Sequence, residues 1–214
     1  MIYKVIKTLT NSNLKDITIV LGGESVGDFI RLLGDGSEFG AKFNYIYQQE
    51  AGGIAEALYL TKEIIKGHKV AVLLGDNIFE DLFPEEVQYF EISEDYDCVL
   101  FVKEVKDPER FGVAELDKSG NIINIEEKPK HPKSNLCVTG LYFYDENVID
   151  IIEQVKNQIG YSNRGELEIT DVNNIYVKRG KTKAKIIDGF WSDAGTFKTL
   201  LKCSDFIKTL QNKK

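Results

Sequence analysis

A chain of 214 residues has room for one α/β domain with a full core and barely for two, and its 43% apolar and 29% charged residues exclude disorder and fibrous repeats. A net charge of −7, with 27 basic residues dispersed among 34 acidic ones, opposes the footprint of a nucleic-acid binder and leaves a small anionic substrate in need of a local basic pocket. The longest apolar runs, 70–74 and 98–102, fall far short of the roughly 20 residues of a membrane span. No secretory pattern opens the chain and its three cysteines form no CxxC pair, so the expected setting is reducing and cytoplasmic, without a membrane partner.

Ile2, Val5, Ile6 and Leu9 stand at helical spacing and predict a helix over 2–10. A buried strand is expected over 17–21, a short helix over 26–33, a strand over 44–48, and a helix over 53–65 with Ala55, Leu58 and Ile65 on one side. The run 70–74 is continuously apolar, as a parallel strand covered on both faces must be, and it ends in Gly75-Asp76-Asn77. A strand over 98–102 follows. The segments 112–116 and 122–127 alternate around Asp117-Lys118-Ser119-Gly120, a hairpin that makes the sheet mixed. Next come a strand over 138–144, a helix over 146–155, and a helix over 167–179 opened by the polar loop 162–166. A strand over 183–188 and a helix over 197–211 close the pattern. Short β-branched runs alternating with amphipathic stretches predict an α/β fold whose sheet is mostly parallel and flanked by helices.

Ligands of open α/β sheets bind beyond the carboxyl ends of strands. Asp76 stands there, beside a glycine that admits close backbone approach; it either holds magnesium shared with substrate phosphates or caps a turn. Asp193, within Trp191-Ser192-Asp193-Ala194-Gly195-Thr196, puts a second carboxylate after another strand, so that both could converge on one cation. Lys128, where Pro129 stops a strand, is either a point charge for phosphate or a solvated surface residue; Arg164 carries the same two readings next to a helix N-terminus. The run Gly22-Gly23-Glu24-Ser25-Val26-Gly27 reads as a plain strand-to-helix turn, because a dinucleotide fingerprint needs glycine where Glu24 stands. His68 and His131 lack the neighbours of a metal site or triad and are expected on the surface.

Several strings then stand in one order: Leu74-Gly75-Asp76-Asn77-Ile78-Phe79, Asp107-Pro108-Glu109-Arg110-Phe111-Gly112-Val113, Glu126-Glu127-Lys128-Pro129, Val138-Thr139-Gly140-Leu141-Tyr142-Phe143-Tyr144-Asp145 and Arg164-Gly165-Glu166-Leu167-Glu168-Ile169-Thr170-Asp171. Together with Gly34-Asp35-Gly36-Ser37, they closely resemble the glucose-1-phosphate thymidylyltransferases over nearly the whole chain. The resemblance implies a Rossmann-like sheet and transfer of a thymidylyl group from dTTP to glucose 1-phosphate, giving pyrophosphate and dTDP-glucose for deoxysugar or polysaccharide synthesis. It implies Asp76 and Asp193 as Mg2+ ligands and Gln48 and Gly53 as contacts to the thymine base. Gly112, Glu127, Val138 and Gly140 are implied for the sugar pocket, and Lys128 and Arg164 as the catalytic groups that bind the sugar's phosphate. A homo-oligomer is implied as well.

Members of that family open with a strand, a Gly-Gly-x-Gly-Thr-Arg-Leu-type loop and a lysine ahead of a segment like Met1-Ile-Tyr3. The expectation is therefore one nucleotidyltransferase domain over 1–214, truncated at its N-terminus, lacking a first strand between 17–21 and 70–74 and leaving a place for a second chain to supply it. Ser192, Ala194 and Phe111 stand where members usually carry Leu, Thr and Tyr. Two alternatives stay open: an enzyme using UTP, since Gln48 and Gly53 can also hydrogen-bond uracil, and a noncatalytic or split-enzyme module that binds sugar phosphate or nucleotide sugar.

Overall fold

The computed structural model describes residues 1–211. It opens with α1 (Ile2–Asn11), β1 (Asp16–Gly22), α2 (Val26–Leu33), β2 (Lys42–Gln48), α3 (Ile54–Tyr59), α4 (Lys62–Ile65) and β3 (Val70–Leu73). Next come β4 (Asn77–Phe79), α5 (Pro84–Ile92), β5 (Cys98–Glu104), the hairpin β6 (Gly112–Leu116) and β7 (Ile122–Glu127), and the long β8 (Leu136–Tyr144). α6 (Val148–Gln158), α7 (Ile169–Arg179), β9 (Thr182–Ile186), β10 (Trp191–Asp193) and α8 (Phe197–Gln211) complete the order.

A strand that is apolar at nearly every position is expected to be covered on both faces, and β8 is, with eight of its nine residues buried. Val138, Tyr142 and Tyr144 face a cluster with Ile151, Ile152 and Val155 of α6 and Val172 and Tyr176 of α7. Cys137, Leu141 and Phe143 face the other way, against Phe79, Phe83, Phe101 and Phe90 of α5. Each large side chain so buried contributes about 1.5–3 kcal/mol, so the helix–sheet–helix sandwich around β8 is the main source of stability. Helix α1 lies off this centre: Ile6 joins Ile17, Leu33 and Phe43, while Val5 joins Ile78 and Cys203.

β5 pairs along one edge of β8, antiparallel from Cys98↔Tyr144 to Glu104↔Leu136. The other edge is shared, with Val113 of β6 opposite Cys137 and Val70–Leu73 of β3 opposite 141–144. Parallel β9 extends the sheet beyond β5, and β7 beyond β6. β3, β5, β6 and β9 thus run one way and β7 and β8 the other. The sheet is mixed as expected; most of its strands share a direction, yet the ladders around β8 are antiparallel because that reversed strand is interposed. β1 and β2 form a separate parallel pair, and among the described residues neither β1 nor β3 has a second neighbour. No helix among them is long and apolar enough to cross a membrane.

Several bounds depart from the sequence reading for local reasons. The helix expected over 53–65 breaks into α3 and α4 at Thr61, whose hydroxyl donates to the Leu58 carbonyl (2.6 Å). Helix α7 starts at Ile169 rather than 167 because Glu168 at its N-cap has an extended backbone (φ −76°, ψ 128°), while the Leu167 N–H is tied to the Gly52 carbonyl (2.7 Å). α5 was not expected, since its apolar residues do not keep to one side: Phe90 is buried while Ile92 is 74% exposed. Lys69 Nζ caps its last turn through the Phe90 (3.1 Å) and Ser93 (2.8 Å) carbonyls.

All three cysteines are free and buried. Burial pushes the Cys98 thiol well above its ordinary value and the Cys137 thiol up to about 12, so neither is a thiolate near neutrality. An aromatic disulfide reagent at pH 8 is expected to titrate three thiols in denaturant and fewer than one in the first minutes on the folded protein; two or more fast native thiols would contradict the packing of β5 and β8.

Candidate active site

Because β3 and β6 share one edge of β8, residues 138–140 between them have no strand paired on that edge, and the sheet forks there. Two groups brace the fork. The Leu74 N–H donates to the Gly140 carbonyl (2.9 Å), and the Gly140 N–H donates to Asn77 Oδ1 (2.9 Å). A Cβ on Gly140 would stand 2.6 Å from the Asn77 carboxamide carbon, so only glycine lets that side chain lie against the strand. Asn77 Oδ1 also accepts from Trp191 Nε1 (2.8 Å), and its Nδ2 donates to Asp76 Oδ1 (2.8 Å). One buried carboxamide therefore joins β4, β8 and β10 and aims Asp76.

The antiparallel pairing of β4 with β10 sets Asp193 opposite Asn77, and the Ala194 N–H donates to the Asp76 carbonyl (2.8 Å). Both carboxylates consequently face Gly195, whose Cβ position would lie 3.1 Å from Asp193 Oδ1 and 3.6 Å from Asp76 Oδ2. Lys103 steadies the approach to β10 by donating to the carbonyls of Ile187 (2.9 Å), Asp188 (3.0 Å) and Gly189 (2.9 Å).

The opposite wall comes from the end of β7 and the loop before α7. Glu127 Oε2 accepts from the Thr170 hydroxyl (2.7 Å), while Oε1 lies 3.5 Å from Lys128 Nζ and 3.8 Å from Arg164 Nη2. Lys128 has a left-handed backbone, φ 45°, uncommon for a residue with a side chain and a recurrent feature of functional sites. Arg164 Nη2 also reaches Glu168 (2.9 Å) and Glu166 (3.2 Å). These carboxylates hold the guanidinium charged, raising its pKa further.

Between the walls lies a cavity of about 280 Å³. It is lined by Asp76, Gly112, Glu127, Lys128, Val138, Gly140, Arg164 and Asp193, together with Arg110, Asn77, Glu166, Glu168, Thr170 and Trp191. Three of its charged side chains are basic and five acidic, so the lining is net negative.

The chain matches the nucleotidyl transferase family over residues 1–209. A glucose-1-phosphate thymidylyltransferase of Neisseria gonorrhoeae is 39% identical over 214 residues, covering 99% of this chain and 73% of the relative.

The chain belongs to the nucleotidyl transferase family.

A second thymidylyltransferase, from Mycolicibacterium smegmatis, is 39% identical over 99% of this chain and 72% of its own length. Among solved structures, a glucose-1-phosphate thymidylyltransferase of Bacillus anthracis in complex with sucrose superposes with a TM-score of 0.88 at 42% identity, over 96% of this chain and 81% of that one. An apo UDP-glucose pyrophosphorylase shares the fold, with a TM-score of 0.80 at 18% identity, over 97% of this chain and 86% of its own.

In this nucleotidyl transferase eight of the ten residues singled out from sequence surround one cavity, and two do not. Gln48 and Gly53 lie outside the lining but next to each other, with Gln48 Nε2 donating to the Gly53 carbonyl (3.3 Å). Gly53 has φ 97° and its Cβ would stand 2.6 Å from the Leu167 carbonyl oxygen, so packing against the Arg164 loop already requires a glycine there. His68 and His131 are exposed, as expected. Sequence reading gave no role to Arg110, Asn77, Glu166, Glu168 or Thr170, although all five stand within the strings that carried the resemblance. The signal open to it was proximity: Asn77 follows Asp76 and Arg110 is two residues before Gly112.

Whether a divalent cation fits can be judged from the donor set. Among the described residues no group of three or more His, Cys, Asp or Glu side chains converges. Two convergent carboxylates are nonetheless what magnesium takes when substrate phosphates complete its shell. A net-negative cavity facing an anionic substrate also calls for a cation.

Proposed function

We propose that the chain is a Mg2+-dependent glucose-1-phosphate thymidylyltransferase, one nucleotidyltransferase domain over 1–214, working in the cytoplasm as a homo-oligomer. The observation that carries this reading is the gathering of eight residues of the family pattern around the fork at 138–140. Asp76 and Asp193 would hold the magnesium, which when bound offsets charge on the phosphate of the transferring thymidylyl group. Lys128 and Arg164 bind the phosphate of glucose 1-phosphate and turn its oxygen toward the α-phosphorus of dTTP. Glu127, fixed by Thr170, accepts hydrogen bonds from sugar hydroxyls. Gly112, Val138 and Gly140 form the wall against which the sugar ring rests. The attacking phosphate is already ionised, so no general base is needed and the protein's contribution is positioning.

Pyrophosphate release from dTTP, glucose 1-phosphate and Mg2+ tests the reading, with UTP in parallel. A thymine methyl is worth about 1–3 kcal/mol, so a preference for dTTP of about ten- to a hundredfold is expected. Folded protein that neither releases pyrophosphate with any common pairing nor binds glucose 1-phosphate would overturn it. Binding without turnover would favour a sugar-phosphate-binding module, a second reading supported by the position of Gln48 and Gly53 outside the cavity lining. Lys128→Ala removes one charge-assisted contact, typically about 1.5–3 kcal/mol, so calorimetry is expected to find affinity for glucose 1-phosphate reduced about tenfold or more. An unchanged affinity would leave Lys128 a surface lysine.

A further inference from the structure

Asp193 is held unevenly. Its Oδ1 accepts from the Gly195 N–H (2.9 Å), the Thr199 hydroxyl (3.2 Å) and Arg110 Nη2 (3.2 Å), whereas among the described residues Oδ2 accepts only from Arg110 Nη2 (3.1 Å). The oxygen most open to a cation is thus the one the arginine covers. Asp76 Oδ2, across Gly195, accepts no hydrogen bond among the described residues and is already available.

Arg110 has two further contacts. Its Nη1 donates to Asp107 Oδ2 (3.2 Å), an aspartate half exposed on the short turn that precedes β6. Its guanidinium lies over the Phe111 ring (4.9 Å), and its side chain is one-third exposed where it borders the cavity. A carboxylate as buried as Asp193 needs a counter-charge, and Arg110 supplies it from 3.1 Å.

We infer that Arg110 is a placeholder cation: a divalent metal displaces it from Asp193 Oδ2, and the freed guanidinium turns into the cavity to meet the phosphate of the incoming substrate. The inference rests on the metal site proposed above. Metal and anionic substrate would then favour each other's binding, because each completes what the other disturbs.

The single tryptophan of the chain makes the step visible: the Trp191 ring stands 5.4 Å from the Phe111 ring on which Arg110 lies. Mn2+ affinity is measured by electron paramagnetic resonance of the free ion, and Trp191 emission is followed during Mg2+ titration, for the wild type and Arg110→Met. Without its competitor the variant is expected to bind Mn2+ about tenfold more tightly or better and to lose the metal-dependent change in Trp191 emission. Arg110→Lys, which keeps a cation against Asp193, is expected to fall between the two and serves if the methionine variant does not fold. Equal Mn2+ affinity in wild type and variants, or an unaltered emission response, overturns the role of Arg110 alone. Failure of every protein to bind Mn2+ overturns the metal site together with it.

Discussion

Asp76→Asn is expected to slow pyrophosphate release at least about a thousandfold while leaving the fold intact. A thousandfold is about 4 kcal/mol of lost transition-state stabilisation, the scale on which a fixed charge acts in a water-poor site. The substitution is nearly isosteric, and the new side-chain oxygen can still accept from Asn77 Nδ2 as Asp76 Oδ1 does. Stability should therefore stay within about 0.5 kcal/mol. Asp193 is the less clean probe, because removing its charge also strands Arg110. Steady-state rates beside Mn2+ affinity decide the matter: lost turnover with lost metal binding supports the assignment, whereas a wild-type rate removes Asp76 from the metal set.

Gly140→Ala should have the largest effect on stability. The new methyl would meet the Asn77 carboxamide at 2.6–2.7 Å. Asn77 cannot give way, since it is 4% exposed and its Oδ1 accepts from both the Gly140 N–H and Trp191 Nε1. Overpacking costs about 1–3 kcal/mol and disturbing buried hydrogen bonds about 1–3 more, so a loss of about 3 kcal/mol or greater is expected. For a chain of this size that is a fall in Tm of about 6–12 °C. Gly75→Ala is the control: nothing stands within 4 Å of its Cβ position and its φ is not left-handed, so its Tm should barely move. Equal melting of the two variants would show that the Asn77 brace adds little to stability.

Where a segment's structure is decided by its own residues, the sequence was readable. α2 and the hairpin β6–β7 occupy the expected residues, because the apolar period and the Asp117–Gly120 turn are local signals. β4 and β10 were not legible. Each has three residues, too few to carry a period, and each exists because the other lies beside it from more than a hundred positions away. Long separations, 114 and 83 positions, likewise hide the Trp191–Asn77 bond and the Arg110–Asp193 pair, in which residue type hints at charge but nothing hints at the partner. Asp76, Lys128 and Arg164 could be picked out because strand ends and breakers mark where ligands gather. The reversed direction of β8 was invisible, since a buried apolar run reads alike in either sense.

The Asn77 brace has a consequence for how much the protein must move. One carboxamide spans Asp76 on one side and Gly140, in the wall proposed for the sugar, on the other, each by a bond near 2.8–2.9 Å. It acts as a ruler set before any substrate arrives, so the offset between the two halves of the proposed site is held to the tolerance of a hydrogen bond. The ordering entropy of that alignment is met during folding and not at each turnover.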